Sequence, residues 1–167
     1  AAECDAICNK IQNVWFVPSP LMKIYMPEIK YHNFGIHGTG IATATDSMYS
    51  IKKHIYDVKD IQKGELLEAV QSDFKLHDEL LPLLRFHTEK MGNDVDEVDN
   101  IATNLLKCFS DNLSSRKNCM GGRFRAGTGS AMYYLWHANE IGPSADGRRK
   151  GEPFGTNFSP SLFAKIS

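Results

Sequence analysis

No CxxC pair, no HExxH string and no apolar run of about 18 residues, the minimum for a membrane-spanning helix, occurs in these 167 residues. The longest apolar stretch, 14–26, is broken by Pro18, Pro20 and Lys23. The four cysteines, Cys4, Cys8, Cys108 and Cys119, lack zinc-ribbon spacing, and no metal is expected. Cys4 and Cys8 would open a cluster-binding CxxxCxxC motif, but Ile11 stands at its third position. Two disulfides and the sequons at Asn112 and Asn157 would suit an oxidising compartment, yet both patterns arise easily by chance; reduced cytoplasmic thiols are expected. Lys and Arg number 19 against 20 Asp and Glu, so no bulk charge draws the chain to nucleic acid or to a membrane surface. A 42% hydrophobic content without repeats or biased tracts excludes a disordered tail and predicts a packed core.

The even balance hides an asymmetry. Residues 1–113 hold 11 basic and 17 acidic side chains, whereas residues 114–167 hold 8 and 3. Either the two halves attract each other within one fold, or Arg116, Arg123, Arg125, Arg148, Arg149 and Lys150 form an anion-facing surface. Aromatic residues are not interleaved with these cations as a single-strand nucleic-acid groove requires.

Apolar spacing predicts helices over 2–13, 41–55, 64–73, 77–90 and 94–114, with Pro82 in the first turn of the fourth or kinking it. The last is the clearest: Val95, Val98, Ile101, Ala102, Leu105, Leu106, Phe109 and Leu113 share one face, with Asn93 or Asp94 expected to cap it. Residues 30–40 read as a glycine-rich turn, 122–135 as extended chain and 143–157 as an irregular basic loop.

The dinucleotide fingerprint fails at Gly38-x-Gly40, because Thr43 stands where its third small residue belongs. Asp46 is expected to be a helix-surface polar group or bonded to nearby backbone, with acid–base chemistry the lesser reading. His32 and His37 are read as structural hydrogen-bonding groups beside the turn, with proton shuttling the lesser reading. The acids at 94–99 lack calcium-loop spacing and suit a helix start.

Three strings carry a resemblance. Residues 35–48, Gly-Ile-His-Gly-Thr-Gly-Ile-Ala-Thr-Ala-Thr-Asp-Ser-Met, lead into Ile51-Lys-Lys53. Residues 91–102 read Met-Gly-Asn-Asp-Val-Asp-Glu-Val-Asp-Asn-Ile-Ala, and residues 146–154 read Asp-Gly-Arg-Arg-Lys-Gly-Glu-Pro-Phe. Taken in this order they resemble the pyruvate formate-lyase-like domain of glycyl radical enzymes, over about residues 14–167. The resemblance implies an α/β fold, here a helix-rich fragment of the ten-stranded glycyl-radical-enzyme barrel, with residues 1–167 a partial domain. It implies an anaerobic enzyme in which a backbone glycyl radical, installed by a radical-SAM activating enzyme, passes to a cysteine whose thiyl radical attacks a small-molecule substrate. No bound cofactor beyond that protein radical is implied, and the parent is expected to be a cytoplasmic homodimer.

Neither the Gly-Cys-x-Glu cysteine loop nor the Arg-Val-x-Gly-Tyr glycyl loop occurs in the chain, and Met26–Lys30 is a shorter link than the family's usual connection. The chain starts without Met and reads as an internal fragment, inactive by itself and without catalytic residues of its own. The parent is expected to be a pyruvate formate-lyase or formate acetyltransferase-like transferase or lyase that cleaves C–C or C–X bonds. Dehydratase and arylacetate decarboxylase are alternatives within the family, and a non-catalytic binding module on the same scaffold is another. A hydrolase or oxidoreductase complete within the chain finds no nucleophile–base set or cofactor loop. In the extended stretch side chains alternate, so Thr128, Ser130 and Met132 share one face and Ala131 and Tyr133 the other, and the resemblance implies that the first face lines the substrate pocket.

Overall fold

The computed structural model describes residues 2–12, 32–118, 121–129 and 133–165. The link at 26–30, Cys119, Ser130 and Met132 lie outside the described residues. Two units divide the chain: Ala1–Ile36 with Leu106–Gly127, and His37–Leu105 with Thr128–Ser167. No helix among the described residues is long and apolar enough to cross a membrane.

In the smaller unit, helix α1 (Ala2–Gln12) buries Cys8 against Leu113 and Phe124, with Cys4, Phe34, Ile36, Phe109 and Ala126 around them. Cys8 is buried in this core, and burial pushes its thiol pKa up. Strands β1 (Phe34–Gly38) and β2 (Phe124–Thr128) form a two-stranded sheet. The pairing is parallel: the Phe34 N–H donates to the Arg123 carbonyl at 3.0 Å, and further on Thr39 Oγ1 donates to the Gly129 carbonyl at 3.3 Å. Residues 34–38 of the expected turn at 30–40 are therefore a strand. Glycine on the partner explains it. A Cβ at Gly122 would lie 1.9 Å from the His32 carbonyl oxygen, and one at Gly129 would lie 2.2 Å from His37 Nδ1. The chains approach because side chains are missing, a signal that strand propensity scores as a turn. Alternation then sends Phe34 and Ile36 inward, and the Phe34 ring meets Phe124 edge to face at 6.2 Å.

In the larger unit, α2 (Ile41–Ile51) starts from Gly40, whose φ of 78° is left-handed and whose carbonyl accepts the Ala44 N–H at 2.9 Å. A Cβ there would also stand 3.1 Å from the Phe154 ring. Gly40→Ala is expected to cost about 1–2 kcal/mol, the usual left-handed penalty of an L-residue plus a displaced ring. Urea denaturation checks it, and an unchanged midpoint would mean the helix start tolerates a different φ.

Helix α2 widens into a π-helical turn at Lys52–Asp57, where the Val58 N–H reaches back to Lys53. The turn buries His54, which hydrogen-bonds Asp60 at 2.9 Å and Thr88 at 2.8 Å. Helix α3 (Lys63–Gln71) starts with the Gln62 N–H donating to the Glu65 carboxylate. Positive φ at Asp73 and Phe74 then folds the Phe74 ring into a core with Ile61, Leu66, Ala69, Leu80, Leu84 and Ala145.

Helix α4 (Leu80–Phe86) keeps Pro82 in its first turn, as expected, but is shorter than 77–90. Side chains end it: Thr88 Oγ1 donates to the Leu83 carbonyl and Lys90 Nζ to the Leu84 carbonyl.

Helix α5 (Asp96–Ser114) begins two residues later than expected. Neither expected cap serves it. Asp94 has φ 59°, and the Asn93 side chain exchanges hydrogen bonds with the Lys165 backbone. The first helical bonds reach the Val95 carbonyl, and Asp99 turns back to accept the Gly92 N–H. The apolar stripe holds: Val98 and Ala102 pack with Ala42, Tyr49 and Met91, while Leu113 belongs to the smaller unit's core.

Helix α6 (Tyr133–Glu140) replaces the extended chain expected up to 135. Its periodicity is invisible because Ala138 is buried while Leu135 and Trp136 stay exposed. Residues 143–157 are irregular, as expected. The core of that loop is buried, however, and Arg148 is 1% exposed. Arg116 pairs with Asp5. The six-cation anion-facing surface is thus reduced by at least these two.

Candidate functional site

The three motif strings converge on buried polar contacts in the larger unit. Helix α2 carries Asp46 inward, fully buried, where Oδ1 accepts the Met91 N–H at 2.7 Å and Oδ2 accepts the Ser161 hydroxyl at 2.6 Å. Its place is buried, not the helix surface, and its backbone partner lies 45 residues away. Burial pushes the Asp46 carboxyl up to about 6; the bonds from Ser161 and Met91 and the charge of Lys90 oppose that, and Asp146 adds to it.

Lys90 is 2% exposed, with Nζ donating to the Leu84 carbonyl at 2.6 Å and to the Asp146 carbonyl at 3.4 Å. Burial pulls its pKa below the usual lysine range, against the attraction of Asp46, Asp146 and Glu89. Asp146 accepts from Ser144 Oγ at 2.6 Å and from the Arg148 N–H at 3.2 Å, all through Oδ1. Its Oδ2 is buried without a hydrogen-bond partner among the described residues.

Arg148 holds the 142–154 loop closed. Its guanidinium donates to the carbonyls of Gly142, Arg149 and Glu152 and to Ser144 Oγ, and it lies 4.2 Å from the centroid of Phe154. Arg85 anchors the same loop to α4: Nε donates to the Gly147 carbonyl at 2.8 Å and Nη2 to Glu152 at 2.6 Å. Gly147, at φ 92°, permits this approach, since a Cβ would fall 2.8 Å from Arg85 Cγ.

Chemically these contacts clamp. Asp46, Lys90 and Arg148 are fully engaged with the protein itself, and no nucleophile–base pair opens onto a cavity among the described residues. A cavity of about 210 Å³ lies alongside, walled in part by Phe86, His87, Glu89, Lys90 and Phe163. Glu65, His77 and Glu79 place possible ligand atoms within 4.8 Å of one another on the surface, and His77 already contacts Glu79 and Glu68.

Of the expected pocket residues, Thr128 ends β2 half-buried and does not line the 210 Å³ cavity. Strand alternation cannot be carried to Tyr133, which opens α6. His37 is exposed on β1, and His32 contributes its carbonyl to Asn118. Lys90, Ser161, Arg85 and Glu152 were not singled out by the sequence. Lys90 carried a hint by preceding Met91-Gly-Asn-Asp directly, and Glu152 by lying inside the 146–154 string.

Residues 17–136 match the pyruvate formate lyase-like family. The chain is 29% identical over 171 residues to trans-4-hydroxy-L-proline dehydratase of Clostridioides difficile, over 95% of this chain and 21% of that protein. It is 31% identical over 132 residues to (2S)-3-sulfopropanediol dehydratase of Klebsiella oxytoca, over 78% of this chain and 16% of that protein. The crystal structure of the Clostridioides difficile hydroxyproline dehydratase, solved with trans-4-hydroxy-L-proline bound, matches with a TM-score of 0.79 at 28% identity, over 83% of this chain and 18% of that one. A glycyl radical enzyme from Archaeoglobus fulgidus matches at 0.71 and 27% identity, over 79% of this chain and 17% of that one. The chain thus spans about a fifth of the length of the relatives it matches. With the three strings in family order, their convergence in the fold and a family match across most of the sequence, the chain belongs to the pyruvate formate lyase-like family of glycyl radical enzymes.

Proposed function

We propose that this chain is part of a glycyl radical dehydratase that removes water from a small hydroxylated substrate. The observation that carries the reading is that the relatives named above as acting on trans-4-hydroxy-L-proline and on (2S)-3-sulfopropanediol are both dehydratases, and the first also matches in fold. Both molecules bear a hydroxyl group that can leave as water. This favours the dehydratase alternative over the pyruvate formate-lyase or formate acetyltransferase-like reading expected from the sequence.

The chain's own part is structural. Asp46, Lys90, Arg85 and Arg148 lock α2, α4 and the 142–154 loop into one rigid segment of barrel wall. Rigid support of this kind is what holds reacting groups in place elsewhere in such an enzyme. The thiyl cysteine and the glycyl radical are assigned to polypeptide outside these 167 residues, since neither motif occurs within them. Thr128, Ser130 and Met132 remain the proposed pocket-shaping positions. The whole enzyme is proposed to be a cytoplasmic homodimer, activated by a radical-SAM partner.

The test uses the longest natural polypeptide carrying this sequence, activated anaerobically and checked for a glycyl radical by electron paramagnetic resonance. It is then given trans-4-hydroxy-L-proline, (2S)-3-sulfopropanediol, glycerol, and pyruvate with coenzyme A. Elimination of water from a hydroxylated substrate is the expected result. Formation of formate and acetyl-coenzyme A without dehydration overturns it. The 167-residue chain under the same treatment is expected to give no radical doublet.

A further inference from the structure

We propose that the cleft between the C-terminal half of α5 and strand β2, within the smaller unit, binds a phosphoryl-type oxyanion. The cleft encloses about 170 Å³ and is lined by Ser110, Ser114, Arg123, Phe124, Arg125 and Ala126. This is smaller than the roughly 300 Å³ at which drug-sized ligand pockets begin, and it suits a small anion.

The placement follows from two periodicities. Residues two apart on a strand share a face, so Arg123 and Arg125 project together while Phe124 between them is buried in the core. Residues four apart on a helix also share a face, which brings the Ser110 and Ser114 hydroxyls to the opposite wall. Asn33 fixes the strand end by accepting the Arg123 N–H at 3.0 Å.

Charge points the same way. No Asp or Glu occurs between Asp111 and Glu140, whereas Arg116, Lys117, Arg123 and Arg125 all fall there. Lys107 is matched by Asp111 at 2.6 Å, and Arg116 by Asp5. Neither Arg123 nor Arg125 has a side-chain partner among the described residues. The negative end of α5 does not cancel the field, because Arg116 donates to the Asn112 carbonyl there. Two guanidinium forks and the Ser110 hydroxyl, beside Ser114 whose Oγ donates to the Asp111 carbonyl at 3.2 Å, match the several acceptor oxygens of a phosphate better than the two of a carboxylate.

The test is an NMR titration of the 167-residue chain with inorganic phosphate at low ionic strength, beside acetate and chloride at matched ionic strength. Saturable shifts confined to residues 110–126 are expected, with a Kd on the order of 1 mM. Arg123→Ala and Arg125→Ala should each weaken binding about tenfold, and Arg125→Lys less, since it keeps the charge and loses the fork. Ser114→Asp places a carboxylate in the cleft and should abolish phosphate binding. Exposed Lys59→Ala should change nothing. Non-saturable shifts, the same shifts with chloride, acetate binding as tightly as phosphate, or full affinity in Arg125→Ala would each overturn the proposal.

Discussion

Arg148→Ala is expected to destabilise the larger unit by roughly 3–5 kcal/mol, the range for removing one partner from a buried charged network. The side chain is 1% exposed, and its guanidinium is the common donor to the Gly142, Arg149 and Glu152 carbonyls. A loop has no ladder to satisfy such carbonyls, so the arginine supplies the hydrogen bonds that a helix or sheet would otherwise provide. Truncation strands several acceptors at about 1–3 kcal/mol each, partly relieved by entering water. It also uncovers the Phe154 ring that packs against the Gly40 start of α2, so damage should spread from the loop to that helix. Arg148→Lys should recover less than half of the loss, because one ammonium cannot reach carbonyls spread around a planar fork. The exposed neighbour Lys150 is the control, and Lys150→Ala should stay within about 0.5 kcal/mol. Urea denaturation followed by far-ultraviolet circular dichroism measures all three. A loss below about 1 kcal/mol for Arg148→Ala would show that the loop closes through other contacts.

The same loop shows how far the sequence could be read. Asp146-Gly-Arg-Arg-Lys-Gly-Glu-Pro-Phe154 was recognisable as distinctive and irregular, because glycine and proline spacing is a local property. That Arg148 would be interior was not legible, since burial of a cation is decided by carbonyls its neighbours happen to aim inward. Helix α5 was legible almost to its ends, its stripe from Val95 to Leu113 being a long one-dimensional signal. Strands β1 and β2 were not, because the pairing joins residues about 90 apart and depends on missing side chains at Gly122 and Gly129. Helix α6 escaped because it buries so little of its apolar surface. At the clamp, the sequence marks Asp46 as a backbone-bonding candidate, while Lys90 and Ser161 are far less visible in it. Neither lies in a pattern of its own; both matter only through what the fold sets beside Asp46, Leu84 and Asp146.

Stability should fall as pH rises from about 4 to about 6, in the part that belongs to Asp46. In the folded chain its carboxyl titrates at about 6, against an ordinary value of 3.8. Between those values the folded state holds a proton that the unfolded state has released, and linkage then makes unfolding easier with each step up in pH. The stabilisation is complete below the unfolded value and is lost as pH passes the folded one. A shift of about two units corresponds to roughly 3 kcal/mol across the window. Other groups titrate nearby, so the measurement is a difference between the wild type and Asp46→Asn. The amide keeps an oxygen for the Met91 N–H and can donate to Ser161, so the contacts survive without the titration. Wild-type stability minus that of the variant should decline by roughly 3 kcal/mol between pH 4 and pH 7. Asp46→Ala, by contrast, strands the Met91 N–H and the Ser161 hydroxyl and should lose about 2–4 kcal/mol. The facing groups make the sign informative. Lys90 attracts a charged Asp46 and Asp146 repels it, while burial from every side disfavours the charge. If the difference instead grew with pH, the attraction of Lys90 would outweigh burial, and the clamp would be a buried ion pair rather than a largely neutral hydrogen-bonded staple.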